Sequence, residues 1–97
     1  MELYIGLYKL TEQGIKNIKD APARIEKGIK AAESVGAKIL GFYSTMGEYD
    51  YVGIGEFPND EAAAGYLLAL GSTGNVRTTT MRAFTIEQFK EIVGKLP

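Results

Sequence analysis

Residues 47–57 read Gly47-Glu48-Tyr49-Asp50-Tyr51-Val52-Gly53-Ile54-Gly55-Glu56-Phe57. Gly47-Glu48 forms a tight connection, and residues 49–57 have the alternation of a strand. Residues 38–46 before them also read as a strand. Two strands therefore meet with no helix between them. This joint divides the chain into two halves that each contribute one helical segment.

Upstream, residues 3–10 (Leu3-Tyr4-Ile5-Gly6-Leu7-Tyr8-Lys9-Leu10) read as a first strand. Residues 11–36 read as helical, with Ile15, Ile18, Ile25, Ile29, Ala32 and Gly36 along one apolar stripe. Pro22 breaks this stretch into a short and a longer piece, with Asp20 near the second start. Gly36 suits a left-handed helix terminus. Downstream, Pro58-Asn59-Asp60-Glu61 opens a second helix with Asn59 as its N-cap. Ala63, Tyr66, Leu67 and Leu70 give that helix its apolar face, and Gly71 ends it. Residues 75–84 form a fourth strand. Thr85 with Gln88 makes a capping box for a last helix carrying Phe89, Ile92, Val93 and Leu96. The order βαββαβ plus a C-terminal helix is the α+β, ferredoxin-like pattern, a four-stranded antiparallel sheet with both helices on one face.

The 97 residues allow one domain, spanning 1–97. With no cysteine and no histidine, the chain has no disulfide, thiolate nucleophile, imidazole base or ordinary zinc site. No metal and no cofactor are expected. Net charge is −1, with no Lys or Arg between residues 39 and 74, and the lysines at 16, 19, 27 and 30 read as a solvated helix face. Neither nucleic acid nor membrane is an expected partner. No stretch has the length of a bilayer span. The start, Met1-Glu2-Leu3-Tyr4, lacks a basic segment leading into an apolar one, so a soluble cytoplasmic protein is expected.

Strand alternation suggests which faces are covered. Leu3, Ile5, Leu7, Val52 and Ile54 are read as the helix-covered core. Tyr4, Gly6, Tyr8, Tyr49, Tyr51, Gly53, Gly55 and Phe57 then fall on the open face. A tyrosine–glycine face of that extent calls for a cover. A second sheet packed across it would give a homodimer with a tyrosine-lined cavity between sheets.

Gly47-Glu48-Tyr49-Asp50 resembles the motif that names the GYD domain. Leu10-Thr11-Glu12-Gln13-Gly14, Asp60-Glu61-Ala62-Ala63-Ala64, Leu68 through Thr78 and Met81-Arg82-Ala83-Phe84 resemble the same family in the same order. The resemblance covers almost the whole chain. It implies a small protein without an established substrate or catalytic residue, of a family similar to dimeric α/β-barrel proteins.

The candidate ligand-binding residues are Tyr4, Tyr43, Tyr49, Asp50, Arg77 and Arg82. Tyr49-Asp50 is read as a cavity-rim pair, with the alternative that Asp50 satisfies hairpin amides and Tyr49 packs. Arg77 and Arg82 have opposite strand parity, so one reaches the open face and the other the helix side or an edge. Either can clamp an anion or pair with Asp50 or Glu56. Gly71-Ser72-Thr73-Gly74-Asn75 follows a helix and opens a strand, the reverse of a phosphate loop. No catalytic residue is assigned. The expected function is a homo-oligomeric small-molecule binding or sensing module. A cofactor-free isomerase, decarboxylase or monooxygenase, and a pure assembly module, stand as alternatives.

Overall fold

A computed structural model describes residues 1–97. Strand β1 (Glu2–Leu10) leads into helix α1 (Glu12–Lys16), a 3-10 turn (Ile18–Asp20) and helix α2 (Ala21–Ser34). Then come β2 (Lys38–Ser44), β3 (Tyr51–Phe57), α3 (Asp60–Ser72), β4 (Val76–Ala83) and α4 (Ile86–Gly94). The sheet runs in the order β2-β3-β1-β4 with every neighbouring pair antiparallel. This is the α+β, ferredoxin-like arrangement expected from the sequence. No helix is long and apolar enough to cross a membrane.

The local signals act as their chemistry dictates. Asn59 accepts from the Ala62 amide at 2.8 Å and caps α3. Thr85 and Gln88 form a reciprocal capping box on α4. Pro22 sits in the first turn of α2, where its missing N–H costs nothing. Gly36 leaves α2 at φ +88°, a conformation that an L side chain resists.

The two faces of the sheet are the reverse of the expected ones. Tyr4, Gly6 and Tyr8 on β1, and Tyr51, Gly53, Gly55 and Phe57 on β3, are buried beneath the helices. Tyr4 and Phe57 form one core cluster with Ala32, Ala37 and Ala63. Leu3, Ile5, Leu7, Val52 and Ile54 lie on the opposite face. The reason is complementary size. Helices α2 and α3 turn small residues toward the sheet, Ala32 and Ala63 among them. Large rings therefore fill the layer between, and the strand glycines let them lie flat. A methyl on Gly6 would come within 3.0 Å of the Tyr8 ring, and one on Gly53 within 3.2 Å of Phe42. Tyr4 meets Phe57 edge-on at 5.7 Å, and Tyr8 meets Phe42 at 5.4 Å.

On β2 a bulge at Leu40 breaks the register between Ile39 and Gly41. Ile39 and Phe42 thereby both face the helices, and Tyr43 faces out. This explains why both parities of β2 are apolar.

Helix α4 leaves the body of the molecule. Every residue in it is exposed. The principal dimensions are 52 × 30 × 18 Å, and the radius of gyration is 14.8 Å. A compact chain of this length would have about 12.5 Å.

Candidate functional site

The six candidate residues fall into separate places. Tyr49 and Asp50 lie in the β2–β3 connection, beside the C-terminal end of β1. The Asp50 carboxylate accepts from the Leu10 amide at 2.8 Å, and the Asp50 amide donates to the Tyr8 carbonyl at 2.8 Å. Thr45 closes the connection, its hydroxyl donating to the Tyr49 carbonyl at 2.6 Å and its amide to that of Asp50 at 2.9 Å. Lys9 lies 5.3 Å from the centre of the Tyr49 ring and 3.7 Å from Glu48. Asp50 thus continues the β1–β3 ladder past Tyr8–Tyr51, and its carboxylate binds an amide of β1 rather than the hairpin amides given above as the alternative. Asp50→Ala leaves the part-buried Leu10 amide without this acceptor. It should cost about 1–3 kcal/mol in urea unfolding. An unchanged midpoint would contradict the clip.

Tyr4 and Arg82 meet at the other end of β1. The Tyr4 hydroxyl bonds to the carboxylate of Asp60, in the first turn of α3, and lies 3.0 Å from Glu2. The Arg82 guanidinium sits 5.7 Å from the Tyr4 ring centre, 4.8 Å from that of Phe84 and 4.0 Å from Glu2. It also donates to the carbonyls of Leu3 and Ala83. The carboxylate beside this arginine is Glu2, not the expected Asp50 or Glu56. Burial, then hydrogen bonding to Asp60 and Glu2, raises the Tyr4 hydroxyl well above the ordinary phenol value. The Tyr4 hydroxyl, then Glu2 and the Arg82 charge, hold the Asp60 carboxyl below the usual carboxylate range.

A depressed carboxyl stabilises the fold above its unfolded value of about 3.9 and loses that contribution as pH falls through its folded value. The difference in melting temperature between wild type and Asp60→Asn should be full above about pH 5 and shrink below about pH 4. A difference that does not vary with pH would refute this assignment.

Arg77 and Tyr43 lie elsewhere. Arg77 is exposed on the open face opposite Lys9, and Tyr43 is exposed there on β2. The two arginines take opposite faces, as their parity predicts. The Asp50 and Tyr4 groups are separated along β1 by about 20 Å at ~3.4 Å per residue. The six residues therefore form no single constellation.

Two other surfaces are contiguous. The first is the open sheet face, where Ile5 and Ile54 pair at the centre, Leu7 pairs with Val52, and Met81 lies beside Ile5. The second is a cleft of about 390 Å³ between α2, α3 and the sheet, walled by Tyr8, Phe42, Tyr51, Tyr66, Ile25 and Leu70. Tyr8 and Tyr51, expected to line a cavity between two sheets, line this cleft within one chain instead, together with Phe42 and the α3 residue Tyr66. The small residues Gly28, Ala32 and Ala63 on the helices were the available signal.

Residues 4–93 match the GYD domain. A protein of Thermus thermophilus is 30% identical over 87 residues, covering 89% of this chain and 92% of that protein. It is called glutamine synthetase and cystathionine beta-lyase binding protein.

Proposed function

Because the chain belongs to the GYD domain family, we propose that it is a homo-oligomeric protein-binding module. Two open sheet faces pack against each other, and the assembled particle docks on a larger enzyme. The carrying observation is where the aliphatic residues sit. Only 12 of 97 residues are buried, and none of them is Leu, Ile or Val. The strand aliphatics Leu3, Ile5, Leu7, Val52 and Ile54 all lie on the face that no helix covers.

Leu40, Tyr43 and Met81 on the sheet, with Phe84, Ile86, Phe89, Ile92, Val93 and Leu96 in the C-terminal segment, are 44–69% exposed. At ~90 Å² each they present roughly 800 Å² per copy, the half-interface of a stable complex. Helix α4 has nine residues, too few to be stable in isolation. Its stripe of Phe89, Ile92 and Val93 needs a surface to pack on, and the second copy supplies one. Face-to-face packing of this kind is isologous and self-limiting.

The aliphatic interface replaces the tyrosine-lined space between sheets expected from the sequence. The named relative supports a protein partner for the assembled form. The test is direct binding of the purified protein to glutamine synthetase and cystathionine β-lyase from the same source. Saturable retention of either enzyme supports the reading, and retention of neither removes it.

A further inference from the structure

We propose that the cleft between α2, α3 and the sheet is a binding site for a small carboxylate with an apolar body. This goes beyond the protein-binding reading and does not depend on it.

The cleft encloses about 390 Å³, within the range of small-molecule sites. Twelve of its 17 lining residues are hydrophobic, so water filling it would find few partners. Its floor is the ring layer of Tyr8, Phe42 and Tyr51, and Phe42 lies 5.5 Å from Tyr51. Tyr66 closes one wall by donating to the Gly28 carbonyl at 3.1 Å. Burial pushes the Tyr8 hydroxyl up to about 12, so it carries no charge at physiological pH.

The charge of the lining specifies the head group. Arg24 and Lys27 both border the cleft, and no Asp or Glu does. That is a selective placement in a chain with more acids than bases. Arg24 is half-buried, and its Nη1 donates to the Asn17 carbonyl at 2.8 Å, which holds it at the α2 end. An anion there meets the half-buried Arg24 and, at the exposed rim, Lys27, while an apolar body lies against the rings. Decanoate and 1-naphthoate share this chemistry and represent acyl and aromatic sources.

Gly28 supplies a variant that preserves the fold. It faces the cleft from α2, and a Cβ there would make ordinary contacts, 3.5 Å to Tyr66 and 3.8 Å to Leu70. Helical glycine is unfavourable, so a larger residue does not weaken α2. Calorimetric titration of the full chain with each acid should give one saturable site per chain. Gly28→Phe should weaken binding at least tenfold with an unchanged circular dichroism spectrum. Arg24→Gln should weaken the acids about tenfold and leave the corresponding alcohols, decanol and 1-naphthalenemethanol, unaffected. Saturation by only one acid identifies the source of the ligand and supports the proposal. Saturation by neither overturns it, as do alcohols that bind as tightly as the acids in the wild type. A Gly28→Phe chain that changes oligomeric state, with no acid bound by the wild type, would assign the cleft to a segment of the second copy and overturn it equally.

Discussion

Ile54→Glu is expected to leave the chain folded and to dissociate it into monomers. Ile54 pairs with Ile5 at the centre of the open face, and neither is fully buried within the subunit. A carboxylate there remains hydrated in the monomer and costs little. In the proposed dimer it would be enclosed between two aliphatic sheets, where an unpaired charge costs several kcal/mol. In a symmetric interface two such charges face the same layer. Each 1.4 kcal/mol is a factor of ten, so the dissociation constant should rise more than a hundredfold. Light scattering after size exclusion reads the mass, and far-UV circular dichroism verifies the fold. A folded Ile54→Glu oligomer of unchanged mass would show that the interface lies elsewhere.

Gly14→Ala is expected to be the most damaging conservative change inside the subunit. Gly14 is buried in α1, which is pinned to the turn before β4. Thr11 donates from its hydroxyl to the Gly74 carbonyl at 2.6 Å and from its amide to the Asn75 carbonyl at 3.0 Å. Gln13 adds a bond to the Thr73 carbonyl at 3.1 Å. A methyl on Gly14 would overlap the Asn75 carbonyl oxygen, which is backbone, and would also touch Leu10 at 3.0 Å. Relief requires moving either α1 or the turn, at a cost of about 3 kcal/mol. That corresponds to a loss of roughly 15 °C in melting temperature for a domain of this size. Gly65→Ala is the control. Its Cβ would meet nothing within 4 Å, and the helix should gain up to about 1 kcal/mol. Equal effects from the two substitutions would refute the close approach at Gly14.

Much of the fold was legible because its signals are local. Pro22, Gly36, Asn59 and the Thr85–Gln88 box each act within one helical turn, and each stands where the sequence puts it. The facing of the sheet was not legible in the same way. Alternation separates Tyr4-Gly6-Tyr8 from Leu3-Ile5-Leu7 without saying which set meets the helices. The usual preference for an aliphatic core points to the wrong set here. The deciding information lies on the helices, where Ala32 and Ala63 are too small to fill a layer against Leu and Ile but fit against Tyr and Phe. The same inversion moves the tyrosine-lined space from between subunits to within one. It also leaves the candidate residues Tyr4 and Arg82 in one corner and Asp50 in another, because strand position alone does not bring side chains together.

The native mass of the wild-type protein at micromolar concentration decides whether a second copy covers the open sheet face. The aliphatic face and α4 predict a dimer or a larger even multiple. A monomer at that concentration would contradict this pairing, since Leu3, Ile5, Leu7, Val52, Ile54 and the whole of α4 would then stand uncovered in water.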